Sequence, residues 1–473
     1  MKILNNLLEE IPVIDIHGNV DAPVSSVSLN SKIIKPHSLF VALAGNVVDG
    51  HIFIDEVIEK GATVIVYEKD IKEFKHGITY VKVTDTHSAV GIISSNFYGE
   101  PSLSMKLIGI TGTNGKTTTA TLLHQLFRDL GYKAGMIGTV VNKINDESFE
   151  ASRTTPDPVT LNELLAEMVD SGCEYCFMEV SSHSVSEKRI SGLHFSGGIF
   201  TNLTLDHLDY HKTIENYCDA KKAFFDILPA TGFALANIDD EKGEYMLSST
   251  KAHKYTLSLK KKADFTERLK TKLIGEFNIY NVLGVYAAAI LLGQDKERIV
   301  EIIKTLEPVP GRFQYIKSLS GITGIVDYAH TPDALLNVLK TANEMKKEGR
   351  VIAIVGCGGD RDRSKRPIMA KIGHDMSDIL ILTSDNPRTE KPEDILEEMK
   401  KGLPEIKETE GLMNQDDKVY IIADRREAIE KACSFALAGD FILIAGKGHE
   451  TYQEVNGEKS HFDDMEELQK FLK

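Results

Sequence analysis

The residues best placed to do chemistry are Gly109-Ile110-Thr111-Gly112-Thr113-Asn114-Gly115-Lys116-Thr117-Thr118-Thr119. They follow an apolar run, 106–110, and precede residues 120–126, whose spacing predicts a helix. Strand, glycine-rich turn and helix N-terminus together predict a phosphate cradle, because backbone N–H groups and the positive end of the helix dipole converge there. Lys116 can reach terminal phosphates and the Thr117 hydroxyl can bind Mg²⁺. The pattern is shorter than G-x-x-x-x-G-K-[ST], since Ile110 stands where the first glycine would be. An ordinary turn has no need of Lys-Thr at the helix start, so the loop points to a nucleoside triphosphate.

Two further runs lie downstream, Met178-Glu179-Val180-Ser181-Ser182-His183-Ser184 and residues 201–211, ending Asp206-His207-Leu208-Asp209-Tyr210-His211. Glu179 ends a strand-like run, where a carboxylate can face phosphates and hold Mg²⁺ through oxygen. His207 is either a second metal ligand or a hydrogen-bonded structural residue, because Mg²⁺ prefers oxygen. Residues 217–225 read as a helix whose Lys221-Lys222 pair, taken alone, says only solvated face. Cys173 and Cys176 have C-x-x-C spacing but lie in or beside a strand with no second pair, so buried strand cysteines are the better reading.

Later in the chain, three apolar runs end in polar loops. Residues 351–355 lead into Gly356-Cys357-Gly358-Gly359-Asp360-Arg361, 379–383 into Asp385-Asn386-Pro387-Arg388, and 441–445 into Gly446-Lys447-Gly448-His449-Glu450. Open parallel sheets bind ligands at the carboxyl ends of their strands, so three such loops predict one site.

The elements that must position these residues alternate strand and helix nearly throughout, which predicts an α/β fold with mainly parallel sheets. At 473 residues the chain is too long for one core. Three domains are expected: 1–103, ending near Glu100-Pro101; 104–310, ending at Pro308-Val309-Pro310-Gly311; and 311–473. Within the second, Thr160 and Glu163 read as a capping box, with Leu161, Leu164, Leu165 and Met168 as one apolar stripe and Gly172 as the stop. The chain has 55 basic against 70 acidic residues, a net charge of −15, which argues against nucleic acid or an anionic membrane as main partner. No apolar run is long enough for a membrane span, the N-terminus lacks a signal-peptide core, and five cysteines suit a reducing compartment. A cytoplasmic monomer is expected.

In order, the chain carries GTNGKTTT, MEVSSHS, DHLDYH, Ala220-Lys221, Gly275-Glu276-Phe277-Asn278, Pro310-Gly311-Arg312-Phe313, Asp327-Tyr328-Ala329-His330 and GKGHE. With these the sequence resembles the Mur ligases, the ATP-dependent amino-acid ligases of peptidoglycan synthesis, and among them the UDP-N-acetylmuramoyl-tripeptide synthetases. The resemblance spans essentially the whole chain. It implies a small N-terminal α/β domain for the UDP-sugar, a central P-loop-type ATPase domain, and a C-terminal Rossmann-like domain for the incoming amino acid. It implies acyl transfer through an acyl phosphate.

By resemblance, Gly112, Thr113, Asn114, Gly115, Lys116, Thr117 and Thr118 hold ATP with Asn278, Arg312, Asp327 and His330. Thr117 and Glu179 hold one Mg²⁺, and Glu179, His207 and a carbamylated Lys221 serve a second. Leu29, Ser31, Asn46, Val47, Val48, Thr154, Thr155, Ser181 and Arg189 match the UDP-sugar peptide contacts. Asn30 and Lys32 replace the usual Asp and Arg beside Ser31, and Glu187 stands where Gln is common. Arg361, Asp385, Asn386, Pro387, Arg388, Gly446 and Glu450 match the amino-acid contacts. The Asp385–Arg388 form goes with meso-diaminopimelate, whose distal carboxylate Arg388 can grip bidentately and lysine lacks. A lysine-adding ligase, a folate polyglutamylating ligase, a P-loop kinase and a nucleotide-binding scaffold are the competing readings. Arg388 speaks against the first, the N-terminal segment and DNPR against the second, and the assembled lysines and acids against the last two.

Overall fold

The computed structural model describes residues 1–45, 48–151, 153–346, 348–404 and 418–472, so Asn46 and Val47 lie outside the described residues. Among the described residues there are three large sheets. The central one has eight strands, ordered Glu147–Glu150, Val141–Ile144, Ala134–Ile137, Tyr175–Glu179, Lys106–Thr111, Gly197–Phe200, Phe233–Asn237 and His253–Leu257. Only the hairpin strands at its first edge pair antiparallel. The register sets Glu179 opposite Ile110 and Phe200 opposite Thr111, so three strand ends open side by side. Such strands are buried on both faces, which is why they read as continuous apolar runs.

The five-stranded N-terminal sheet runs Val13–His17, Thr79–Val83, Ala62–Tyr67, Ser38–Val41, Ser26–Ser28, and is parallel beyond its first pair. The six-stranded C-terminal sheet runs Gln314–Lys317, Thr323–Asp327, Phe441–Ala445, Val351–Cys357, Ile379–Ser384, Val419–Ile421, again antiparallel only at the first pair. Its four inner strands carry the polar loops at one edge. Helix Glu276–Leu291 is apolar almost all round and sits in the central core against helix Lys116–Asp129.

One predicted cap is corrected. Helix Pro158–Asp170 starts before Thr160: Asp157 is the N-cap and accepts from Val159 N and Thr160 N, with Pro158 preset at the first helical position. The Thr160 hydroxyl donates back to Asp157 at 2.8 Å. Leu161, Leu165 and Met168 are buried as expected, and Gly172 closes the helix at φ +79°.

The N-terminal and central layers meet with little between them. Helix Thr86–Tyr98 packs on helix Pro158–Asp170. A Cβ on Gly91 would lie 2.5 Å from the Ser191 carbonyl oxygen, and one on Gly192 would lie 2.9 Å from Ile92 Cα. Asp85 and Lys188 form an ion pair across the same seam. Among the described residues no helix is long and apolar enough to cross a membrane.

Candidate active site

The strand Lys106–Thr111 ends in a turn that only glycine permits. Gly112 has φ +147° and Gly115 +87°, and Gly115 delivers the chain into helix Lys116–Asp129. A Cβ on Gly112 would fall 1.9 Å from Thr201 Oγ1, and one on Gly115 2.4 Å from Asn281 Oδ1. The neighbouring strand end braces this loop. Thr201 Oγ1 and Asn202 Nδ2 both donate to the Asn114 carbonyl, at 2.6 and 3.1 Å, and Asn202 Oδ1 accepts from Asn114 N at 2.9 Å. Thr113 Oγ1 accepts from Thr204 N at 2.9 Å and lies 3.1 Å from the Tyr217 hydroxyl.

Lys116 Nζ donates to the Gly112 and Thr113 carbonyls at 2.9 and 2.8 Å. Lys221, reached from helix Ile214–Asp226, donates to the same Gly112 oxygen at 2.8 Å and lies over the Tyr217 ring. Burial pushes both lysines below their usual range, Lys221 far below, and the positive charge of Lys116 adds to the shift at Lys221. Among the described residues Lys221 has no ion pair, although it is only 1% exposed.

Glu179 is buried and faces the helix start. Its carboxylate accepts from Thr117 Oγ1 at 3.0 Å, Thr139 N at 2.8 Å and Thr139 Oγ1 at 3.1 Å. Arg312 Nη2 donates to Thr117 Oγ1 at 3.0 Å from the C-terminal side. Glu179 and Thr117 are hard oxygen donors 3.0 Å apart on one cavity wall, which fits a magnesium ion that takes its remaining ligands from water and phosphate. Among the described residues no cluster of three or more His, Cys, Asp or Glu makes a protein-only cage. His207 has φ +55° and lies 3.4 Å from Asp206 through Nε2; loss of solvent lowers its pKa to about 3 and keeps it neutral, able to ligate.

These groups line a cavity of about 460 Å³ between the central and C-terminal sheets. Thr113 to Thr119, Thr154, Glu179, Ser181, His207, Lys221, Arg312, Asp327 and His330 all contribute to its wall. Asp327 is buried and its pKa is raised to about 6 by desolvation, against the opposing pull of Arg312. His330 has its pKa lowered to about 4 by burial, with Nδ1 2.8 Å from the Tyr328 carbonyl. Asn278 does not reach the cavity: its amide donates to the Ile274 carbonyl and its oxygen accepts from Asn281, which does.

Thr155, Ser181 and Arg189 gather behind Glu179. Thr155 Oγ1 donates to the Glu179 carbonyl at 2.8 Å, Arg189 Nη1 donates to the Thr155 carbonyl at 2.8 Å, and Ser181 caps the next short helix. Glu187 holds the Arg189 fork at 2.8 and 2.6 Å, so the departure from Gln makes an ion pair. Leu29, Ser31 and the exposed Val48 are on the N-terminal layer and do not line the cavity.

The three loops predicted to share an edge do touch. Asn386 Nδ2 donates to Glu450 at 2.7 Å, Lys447 Nζ donates to Asn386 Oδ1 at 2.9 Å, and Gly359 N donates to the Asn386 carbonyl at 2.9 Å. A Cβ on Gly446 would lie 2.5 Å from Asp385 Oδ2. Arg388, at φ +52°, donates to the Gly359 carbonyl at 2.8 Å and lies 3.7 Å from Glu454. Pro387 packs at this crossing, its carbonyl against Gly359. Arg361 is exposed and bonds only its neighbour's carbonyl among these contacts. Within the basic run that follows, Arg366 is buried and forks between Glu390 and Glu398, a structural role. The loops connect to the cavity through Tyr328, whose ring lies under the Arg312 guanidinium at 4.5 Å and against His449 at 4.9 Å.

Residues that sequence reasoning passed over complete the site. Asp206 faces His207, His330 and Lys365 at 3.4, 3.9 and 4.0 Å, and so joins the central and C-terminal sheets. Thr201, Asn202 and Asn281 shape the loop, and Thr139 holds Glu179. Thr201, Asn202 and Asp206 follow a strand end in a polar run, the one signal that could have marked them.

Three family models match successive stretches of the chain. The Mur ligase family catalytic domain matches residues 23–98, the Mur ligase middle domain residues 110–268, and the Mur ligase glutamate ligase domain residues 311–448. A UDP-N-acetylmuramoyl-L-alanyl-D-glutamate–2,6-diaminopimelate ligase of Bacteroides fragilis is 50% identical over 487 aligned positions, covering 99% of both chains. The enzyme of that name from Phocaeicola vulgatus is 50% identical with 98% of each chain covered. A solved structure of a ligase with the same name superposes with a TM-score of 0.69 at 30% identity, covering 100% of this chain and 98% of the other.

Proposed function

The chain belongs to the Mur ligase family, and from that premise we propose that it joins meso-diaminopimelate to UDP-N-acetylmuramoyl-L-alanyl-D-glutamate with hydrolysis of ATP. The observation that carries this reading is the convergence on one cavity of the phosphate loop, Glu179 and Lys221 from the central sheet with Arg312, Asp327 and His330 from the C-terminal one. The reaction belongs to peptidoglycan precursor synthesis in the cytoplasm. The domain limits that go with it are 1–103 for the UDP-sugar, 104–310 for ATP and 311–473 for the amino acid.

The D-glutamyl carboxylate attacks the γ-phosphorus of ATP and ADP leaves. The amine of the incoming amino acid then attacks the acyl phosphate, and inorganic phosphate leaves with formation of the amide. Two anions must approach each other in the first step. Lys116, held over the loop by its two carbonyl bonds, is aimed at the phosphates and offsets their repulsion. Arg312 steadies Thr117 from across the cavity. Thr117 and Glu179 would hold one magnesium ion, and Glu179, His207 and a carbamylated Lys221 a second; Mg²⁺ supplies charge neutralisation on the transferring phosphoryl group. Carbamylation would turn the buried Lys221 amine into an anionic oxygen ligand. Thr154, Thr155, Ser181 and Arg189 would position the dipeptide, Arg388 would grip the distal carboxylate of diaminopimelate, and Glu450 its distal ammonium.

The deciding experiment is ATP-dependent phosphate release with the UDP-sugar dipeptide, offering meso-diaminopimelate and L-lysine separately. Turnover with meso-diaminopimelate alone is expected. Turnover with lysine alone overturns the role of Arg388, and silence with both while ATP binds overturns the ligase reading.

A further inference from the structure

Strands Ile379–Ser384 and Phe441–Ala445 feed the two loops that hold Asn386, Arg388 and Glu450, yet they are not neighbours. Val351–Cys357 lies between them. Their loop roots are therefore about 9–10 Å apart across the sheet and share no ladder hydrogen bond. Besides the side-chain bonds of Asn386 with Glu450 and Lys447, one side chain bonds the backbone of both roots. Arg425, the first residue of helix Arg425–Phe435, donates from Nη1 to the Ser384 carbonyl at 3.3 Å and from Nη2 to the Ala445 carbonyl at 3.0 Å. Those carbonyls directly precede Asp385 and Gly446. The remaining fork faces Asp464, with Nε and Nη2 each 2.7 Å from its carboxylate. Arg425 is 1% exposed and Asp464 is fully buried.

A buried ion pair is weak grounds for stability, since apolar residues of like volume often serve as well. Its placement here is informative for another reason: a single rigid guanidinium fixes the distance between two loop roots, and Lys, a point donor on a flexible stem, cannot hold both carbonyls and Asp464 together. We propose that Arg425 is a positioning residue for the amino-acid site, setting the separation between Arg388 and Glu450 and thereby the fit of a substrate charged at both ends. This rests on the function proposed above.

The test measures Arg425→Lys and the pair Arg425→Met/Asp464→Leu, which removes the staple while keeping the core filled. Saturation curves for meso-diaminopimelate, L-lysine and ATP are compared with the unsubstituted protein. The KM for meso-diaminopimelate should rise roughly tenfold and its preference over lysine should fall by a similar factor, with the KM for ATP within about twofold, because misplacement by about 1 Å is enough to lose productive geometry. Lower thermal stability with an unchanged amino-acid KM in both variants would assign Arg425 to the core alone and overturn the proposal. Unsubstituted protein that does not use meso-diaminopimelate would instead bring down the reading beneath it.

Discussion

Lys221 is a buried amine that shares the Gly112 carbonyl with Lys116 and makes no contact ion pair among the described residues. Replacement by Ala is expected to lower phosphate release by about 10² or more, consistent with loss of a preorganised charge at the transferring group. Short-chain carboxylates should restore part of the rate. An intact fold with no rescue would leave the carbamate without support. Arg388 is tested in the same way: Arg388→Ala should cut kcat/KM for meso-diaminopimelate by roughly 10²–10³, most of it in KM, while ATP affinity stays unchanged. Equal loss of ATP affinity would mean that Arg388 supports the fold. At this scale the residues themselves marked Lys116, Thr117 and Glu179, whereas His207 and Lys221 entered as ligands only through the family resemblance. The sequence did not mark Thr139 or Asn281, whose roles exist only through contacts across the sheet, and it named Asn278, whereas Asn281 is the one of that hydrogen-bonded pair that lines the cavity.

The phosphate loop is an element whose shape is dictated by two glycines and a braced neighbour strand. Gly112→Ala puts a methyl group 1.9 Å from Thr201 Oγ1 at φ +147°, a clash that side-chain movement alone does not relieve, since Thr201 itself holds the Asn114 carbonyl. The variant should lose about 1–3 kcal/mol of stability and bind ATP at least tenfold more weakly, read from thermal melts with and without nucleotide. Unchanged ATP binding would show that the loop tolerates another shape. Elements of this kind were legible because buried parallel strands are unbroken apolar runs and the loops at their ends are polar. The start of helix Pro158–Asp170 was misread for a local reason: two acceptable caps lie three residues apart, and Asp157 followed by proline outcompetes Thr160.

Across the whole molecule, burial holds several imidazoles neutral. His124, His211 and His330 each have a pKa near 4 in the folded chain, below the ordinary value of about 6.5. The folded state then binds fewer protons than the unfolded one in this window, so stability rises with pH there and is lost as pH falls from about 6.5 towards 4. Asp327, raised to about 6, has the opposite slope, but His207 and His449, lowered to about 3, act in the same sense as the three histidines. The melting temperature should therefore drop on acidification through that window, and drop less in His124→Gln; a flat profile would contradict the buried, neutral histidines. The seam at Gly91 and Gly192 has a calorimetric consequence. Backbone meets backbone there, beside the Asp85–Lys188 pair, whereas the central and C-terminal layers meet largely around a polar cavity. The first two layers should absorb heat as one cooperative unit and the third as another, giving two endotherms in the apo protein. ATP, for which the proposed site draws groups from both units, should bring the two peaks together. A single endotherm without nucleotide would mean that the cavity walls are already welded shut.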